Sequence, residues 1–199
     1  MTKPPLHSTR ESWLSAAVSI FRPWFVEQEA TLPATIRVST GFPSVRALSD
    51  RNRAIGQCWP PDSSADGSVH VFISPVLGDA SRVADVLIHE LCHAALPKDV
   101  GHKGAFKRLA VSLGLTGKMT ATDAGPELKK KLTGVLKTLG PYPHAMLDPK
   151  KSPVKKQGTR LLKVEATDCC KYVARITRKW VDAEGWPKCP HGEDMLQVQ

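Results

Sequence analysis

Residues 86–95 read VLIHELCHAA and contain His89, Glu90 and His93 in the spacing H-E-x-x-H. Residues four apart lie on the same face of an α-helix, so the two imidazoles can reach one metal ion. For this chain's His and Glu content, about 0.01 such matches are expected by chance. Apolar neighbours predict that the opposite helix face is buried. The stretch therefore predicts a core helix that carries a metal site.

The ends of this helix can be placed from the sequence. Asp79 or Ser81 can cap its N-terminus, and we expect it to run to about Leu96 and to stop at Pro97. The alternative, that the two histidines only pack in the core, would leave two polar rings in need of partners. Cys92 points away from the histidine face, so we expect it to pack in the core.

A catalytic zinc site needs a third protein ligand and an open position. The candidate is His102, because Pro97 ends the helix and Gly101 allows a sharp turn back. The alternative for His102 is an exposed loop histidine. His70, on a predicted strand, and His144, among prolines, are weaker candidates.

Three neutral imidazoles leave the charge of Zn²⁺ largely uncompensated, which favours ionisation of water at the ion. Glu90 is placed to take the proton as general base, and the ion would polarise the carbonyl under attack. The motif thus predicts an enzyme, a zinc metallopeptidase with a protein substrate.

Further helices are predicted on both sides of the motif. Residues 8–11 (STRE) form a capping box in front of an amphipathic helix, which Pro23 is expected to kink or divide. Two more helices are expected at about 104–113 and 127–139.

Three short segments read as strands, at residues 35–40, 54–59 and 69–74, and residues 60–67 (PPDSSADG) read as an exposed loop. Turns with Gly and Pro separate them, as in a small antiparallel sheet. We expect an α+β fold in which helices with the zinc site pack on this sheet.

The charge of the chain is uneven. It has 199 residues and a formal net charge of +9. Residues 1–96 hold 8 basic and 9 acidic side chains, a net of −1, whereas residues 97–199 hold 20 and 10, a net of +10. This asymmetry favours an anionic partner for the second half, most simply nucleic acid. A solvated surface is the alternative.

The apolar runs are far shorter than the roughly 20 residues that span a bilayer, and no secretory signal can be read. We therefore expect an intracellular protein without a membrane partner. Five cysteines without an export signal argue against a disulfide framework and favour a metal role for the late cluster.

From residue 141 the composition shifts, and residues 149–163 (PKKSPVKKQGTRLLK) contain no acidic side chain. We predict a domain over 1–140, a basic linker over 141–160 and a small domain over 161–199. The linker residues expected to follow a phosphate backbone are Lys150, Lys151, Lys155, Lys156 and Arg160.

Behind the linker, residues 171–180 (KYVARITRKW) read as a strand. Arg175, Arg178 and Lys179 suit phosphate contact, and Tyr172 and Trp180 beside them suit base stacking. A charged outer face of a two-stranded hairpin is the alternative.

The chain resembles the SprT-like zinc metallopeptidases, which include the Spartan proteases of DNA–protein crosslinks. The helix motif followed by GHKGAFKRLAVSLGL carries the resemblance, and IGQCW, VFISP and GKMTAT resemble the small phage and bacterial members. The resemblance implies His89, His93 and His102 as zinc ligands and Glu90 as the catalytic base, over about residues 10–140.

The resemblance also implies a C-terminal zinc ribbon over about residues 160–195. Thr167 stands where the family has the first Cys of a C-x-x-C pair. The remaining candidate ligands for a structural zinc are Cys169, Cys170, Cys189 and His191. A ribbon held without metal, by its apolar side chains, is the alternative.

The basic second half together with the resemblance predicts DNA as a partner, single- or double-stranded and of any sequence. The expected function is a zinc-dependent endopeptidase that acts on DNA-associated proteins or DNA–protein crosslinks. A non-catalytic zinc-containing DNA-binding or scaffold protein is one alternative. A metallohydrolase of a small amide or of cell-wall peptide is another.

Overall fold

The computed structural model describes residues 6–151 and 161–198, and its contacts divide the chain into two units, Met1–Lys151 and Ser152–Gln199. The fold is α+β, as predicted. The elements described in the first unit are helices α1 (Arg10–Val26), α2 (Ala80–Ala94), α3 (Ala105–Ser112) and α4 (Pro126–Leu139), and strands β1 (Ile36–Thr40), β2 (Gly56–Trp59), β3 (Val69–Ile73), β4 (Leu115–Lys118) and β5 (Ala121–Ala124).

Helix α2 carries the H-E-x-x-H motif through the core of the first unit. The carboxylate of Asp79 caps it by accepting a 2.7 Å hydrogen bond from the backbone N–H of Arg82. One face is fully buried, with the side chains Val83, Ala84, Leu87, Ile88, Leu91 and Cys92. The helix ends at Ala94, close to the predicted end, because Pro97 follows.

Strands β1, β2 and β3 form a sheet in the order β1-β3-β2. The prediction of an antiparallel sheet was wrong for one pair, since β3 is antiparallel to β2 but parallel to β1. Strands β1 and β2 are the two edges of the sheet. Residues 41–55, which connect them, are long enough to cross from one edge to the other and leave room for β3 between them. Strands β4 and β5 form a separate hairpin.

Helix α1 begins one residue later than the predicted capping box. Its cap is Thr9, whose hydroxyl accepts from the N–H of Ser12, and the Ser12 hydroxyl accepts from the N–H of Thr9. The helix is not divided at Pro23. Phe21 and Phe25, on either side of that proline, are both fully buried, so packing holds the two parts in one helix.

The segment after α4 belongs to the first unit, although the sequence predicted a linker from residue 141. Tyr142 is buried and its ring lies 5.1 Å from that of Trp13. Arg10 donates hydrogen bonds to the carbonyl oxygens of Pro75, Pro143 and His144. Residues 152–160 of the predicted linker, including Lys155, Lys156 and Arg160, lie outside the described residues.

The second unit is a three-stranded sheet and a helix. Strands β6 (Leu161–Glu165), β7 (Val173–Thr177) and β8 (Leu196–Gln197) pair in the order β7-β6-β8, and helix α5 is Arg178–Glu184. The predicted hairpin thus gains a third strand. The prediction of a strand over 171–180 was wrong beyond Thr177, because helix α5 begins at the next residue. Gly185, with a φ of +84°, ends that helix.

No helix within residues 6–151 or 161–198 is long and apolar enough to cross a membrane.

Candidate metal centre

Three histidines of the first unit direct the same ring atom toward one point. The Nε2 atoms of His89 and His102 lie 3.2 Å apart, and those of His93 and His102 lie 3.1 Å apart. His89 and His93 are one turn apart on α2, and His102 comes from the loop that follows. The three are partly buried and form a group that could hold a metal ion.

The spacing of these nitrogens fits a tetrahedral metal. Zn–N bonds of 2.0–2.1 Å in tetrahedral geometry place ligand nitrogens about 3.3 Å apart. Without a cation or a proton between them, the lone pairs of neutral Nε2 atoms at this distance would repel one another. The donor set and its spacing therefore fit a three-histidine site with one position left for water or substrate.

Glycines allow the loop after α2 to return His102 to the helix. Gly101 and Gly104 both have positive φ angles, 59° and 49°, which residues with a Cβ adopt only with strain. A Cβ at either position would meet nothing within 4 Å, so backbone conformation, not space, requires glycine there. Helix α3 then starts at Ala105.

Phe106, which sequence reasoning did not single out, supports all three imidazoles. Its fully buried ring stacks on His93 with centroids 4.4 Å apart. It also contacts His89 at 5.0 Å and His102 at 4.9 Å. Its sequence signals were its place as an apolar residue at the start of the helix that follows His102 and its position within GHKGAFKRLAVSLGL. An aromatic platform of this kind limits how the imidazoles can rotate.

Glu90 is 6% exposed and lines the same cleft as the histidines. Burial raises its pKa to about 8, although a hydrogen bond with the backbone of Cys58 on β2 opposes the shift. A carboxyl group with a pKa near neutrality can both accept and release a proton at physiological pH. Cys92, by contrast, is fully buried in the core.

The metal-free histidines are held neutral. Burial lowers the pKa of His89 to about 3, helped by the charges of His93, His102 and Arg82. Burial and His102 likewise lower the pKa of His93 to about 4, and burial lowers that of His102. Neutral imidazole is the form that binds a metal, so the site is prepared for one.

The cleft has a volume of about 970 Å³ and is lined by α2, β2 and residues 120–122 of the β4–β5 hairpin. Lys98, from the loop after α2, forms an ion pair with Asp62 in the exposed loop that follows β2. Both residues line the cleft, so this pair joins two of its walls.

A second metal-ligand cluster lies in the second unit. The ligand atoms of Cys169, Cys170, Cys189 and His191 all lie within 4.8 Å of one another, and the sulfurs of Cys169 and Cys189 are 3.3 Å apart. Cys189 begins a tight turn, in which its carbonyl accepts from the N–H of Gly192. Desolvation raises the pKa of Cys189, but hydrogen bonds from Cys169 and from the backbone of His191 and Glu193 outweigh it and bring the pKa to about 7.

The residues predicted to contact DNA fall on several elements. Arg175 is exposed on β7, and Arg178 and Lys179 are exposed on α5. The Lys179 ammonium lies 5.6 Å from the ring centre of Trp180, which is 54% exposed. Lys150 and Lys151 are exposed in a short 3-10 turn, Pro149–Lys151, at the end of the first unit.

Comparison of the chain with protein-family models found no match, and comparisons with curated proteins and with solved structures found none either.

Proposed function

We propose that this protein is a zinc-dependent endopeptidase of the SprT-like type that acts on DNA-associated proteins or DNA–protein crosslinks. The observation that carries the proposal is the convergence of His89, His93 and His102 through Nε2 beside the buried carboxyl of Glu90. A metal bound only for structure would need neither the adjacent buried acid nor an open cleft.

A zinc ion bound by the three imidazoles would act as a Lewis acid on a peptide carbonyl and make water a better acid. Glu90 would take the proton from the attacking water as the new C–O bond forms. It would then pass that proton to the amine nitrogen as the peptide C–N bond breaks. Burial raises the Glu90 pKa in the metal-free protein, and a cation bound beside it would oppose that shift by favouring the carboxylate that accepts the proton.

The roles of ligand and base can be separated by two substitutions. Glu90→Gln leaves all three imidazoles in place, so zinc content should match wild type while cleavage falls by about 10²–10⁴-fold. His93→Ala should lose both zinc from this site and cleavage. Elemental analysis and digestion of a small basic DNA-binding protein, with and without DNA, would measure the two properties.

Glu127→Gln is the matched control, because Glu127 is an exposed carboxylate in the first turn of α4 and does not line the cleft. It should cleave at the wild-type rate. Cleavage by Glu90→Gln at that rate would remove the general-base assignment. Wild-type protein with zinc but without cleavage of any tested protein would favour the non-catalytic zinc protein.

A structural zinc held by Cys169, Cys170, Cys189 and His191 is the second part of the proposal. Apolar burial in the described part of this unit, residues 161–198, is small: its core cluster consists of Val164, Ala166, Cys189 and Met195, and Val181 of α5 is also buried. A unit of this size usually needs a metal or another crosslink to be stable. The sulfurs of Cys169 and Cys189 lie 3.3 Å apart. Hydrogen bonding with Glu193 and this contact raise the pKa of the Cys169 thiol, whereas the contact lowers that of Cys189 against desolvation, so Cys189 is the thiolate of the pair before zinc binds.

The DNA part of the proposal is supported by charge. The net charge of +10 over residues 97–199 and the exposed Arg175, Arg178 and Lys179 beside Trp180 suit a phosphate backbone and stacked bases. A protease held on DNA in this way would meet bound proteins at a raised local concentration.

A further inference from the structure

The outer nitrogen of one candidate metal ligand has a defined partner. Nδ1 of His89 lies 2.9 Å from Oγ1 of Thr122, while its Nε2 faces His102. Thr122 is 5% exposed and comes from β5, the second strand of the β4–β5 hairpin. The contact therefore joins α2 to the hairpin across the wall of the cleft.

Arg82 holds this hairpin on helix α2. Its Nη1 atom lies 2.9 Å from the carbonyl oxygen of Thr122 and 2.8 Å from a carboxylate oxygen of Asp123. The same atom pairs at 2.8 Å with Asp85, and the other Asp85 oxygen accepts a 3.3 Å hydrogen bond from the N–H of Ala124. Two residues of α2, Arg82 and Asp85, thus bind the strand that carries Thr122.

Asp85 and His89 are one turn apart on α2, so the helix that presents the ligand also anchors the strand that contacts it. The Thr122 hydroxyl consequently has little freedom to leave Nδ1. A hydrogen bond donated by one ring N–H of a histidine fixes that tautomer and leaves the other nitrogen with a free lone pair.

We propose that Thr122 is a positioning residue for the metal ligand His89, and this rests on the metal centre of the proposed function. Its hydroxyl accepts a hydrogen bond from Nδ1–H, which keeps the lone pair on Nε2 and fixes the direction of the ring. Arg82 and Asp85 keep the hydroxyl in place by binding the carbonyl oxygen of Thr122 and the N–H of Ala124.

The test uses the full chain and three substitutions. Thr122→Val keeps the shape of the side chain and removes the hydroxyl, whereas Thr122→Ser keeps the hydroxyl. Thr116→Val is the matched control, because Thr116 lies on the same hairpin, opposite Asp123, and its exposed hydroxyl bonds only backbone there. Zinc affinity is measured by competition with a chromogenic chelator, and the ligand field is read from the visible spectrum of the Co²⁺-loaded protein.

Thr122→Val should bind zinc at the histidine site about 10–100-fold more weakly, with a changed Co²⁺ spectrum. Thr122→Ser and Thr116→Val should stay within about threefold of wild type. All variants keep the cysteine cluster, so a difference between them reports on the histidine site. Wild-type affinity in Thr122→Val, or equal weakening in Thr122→Ser, would overturn the proposal.

This test is separate from that of the peptidase. If wild type binds zinc but cleaves nothing, the proposed function fails while the Thr122 result still decides the positioning role. If Thr122→Val does not fold, a zinc affinity of Thr122→Ser equal to that of wild type supports the role of the hydroxyl, and a tenfold loss in Thr122→Ser contradicts it.

Discussion

Gly56 of strand β2 lies directly against the carboxylate of Glu90. A Cβ atom on Gly56 would come within 2.4 Å of Oε1 of Glu90 and 2.8 Å of a methyl group of Val86. Real Cβ atoms do not approach other atoms this closely, so a side chain at this position must displace the strand or the carboxylate. Glycine is required here by space, because strand and helix meet at the proposed catalytic base.

Gly56→Ala should therefore damage the proposed chemistry more than the metal site. We expect cleavage to fall by about tenfold to a hundredfold, because a displacement of the order of 1 Å at a reacting group has effects of this size. Zinc content should remain at the wild-type value, since the three histidines lie on α2 and the following loop. Initial rates and elemental analysis would measure both.

Gly134→Ala is the control for this substitution. Gly134 lies in helix α4, and a Cβ there would meet nothing within 4 Å. It should leave cleavage unchanged and raise the free energy of unfolding by up to about 1 kcal/mol, because alanine is the better helix former. Wild-type cleavage by Gly56→Ala would show that the strand can yield without moving Glu90.

The raised pKa of Glu90 predicts how the stability of the metal-free protein depends on pH. The folded pKa of about 8 lies above the usual value of 4.5, so the folded state holds the proton more tightly. The contribution of Glu90 to the free energy of unfolding is therefore largest below about pH 4.5, and it decreases as pH rises toward 8. Between pH 6.5 and 8 the loss should be about 1–2 kcal/mol.

Chemical denaturation of chelator-treated protein at pH 6.5 and 8 would measure this loss, with Glu90→Gln as the comparison. The amide does not titrate, so the variant should lack the decrease. The pKa values of His89 and His93 are lowered, to about 3 and 4, so these groups act in the opposite direction. Their contribution to the free energy of unfolding is largest above about pH 6.5 and decreases as pH falls. A parallel pH dependence in wild type and variant would show that Glu90 is not the group responsible.

The core of the site was predictable because it is local. The spacing of His89, Glu90 and His93 follows from the 3.6-residue helical repeat, and positive φ at Gly101 confirms the predicted sharp turn before His102. Because a short loop with glycines can turn back to the helix that it follows, the position of His102 beside α2 could be predicted from sequence order alone.

The partners from distant segments were not predictable in the same way. Phe106, Thr122 and Gly56 reach the site through tertiary packing. Their segments were singled out only for the resemblance they carry, and nothing in the sequence shows that these side chains contact the histidines or Glu90. Arg10 shows the same limit for the domain boundary, because its bonds to residues 143 and 144 keep the segment after α4 on the first unit. The parallel pairing of β1 with β3 could not be predicted either, because it depends on the path of the long connection after β1.

The cysteine cluster should contribute one of two zinc ions. Cys189→Ser should reduce the zinc content from about two per chain to about one, and residues of the second unit should lose protection from hydrogen exchange, because metal binding there supplies folding free energy. Cys58→Ser, which removes a thiol outside the cluster, should still bind two. Elemental analysis with hydrogen exchange read by mass spectrometry would measure this, and two zinc ions in Cys189→Ser would contradict the assignment.

The last prediction concerns DNA. If Lys150, Lys151, Lys155, Lys156 and Arg160 follow a phosphate backbone, changing all five to Gln should reduce the slope of log K against log salt by about 4–5 on duplex and about 3–4 on single strands. Peptide cleavage without DNA should not change, since neither Lys150 nor Lys151, the two within the described residues, lines the cleft.

A matched variant separates a DNA surface from charge in general. Lys129, Lys130 and Lys137 are exposed on α4, and changing them to Gln removes as much charge as changing Arg175, Arg178 and Lys179. Only the change of Arg175, Arg178 and Lys179 should weaken DNA binding strongly. Trp180→Ala should further weaken binding to single strands, because stacking of one base on an aromatic ring contributes about 1–3 kcal/mol. Fluorescence anisotropy with labelled oligonucleotides, from low to physiological salt, would measure these effects. Equal losses from both sets would mean that the basic second half attracts DNA without a defined surface, and absence of binding at low salt would remove the DNA proposal while the peptidase proposal remains.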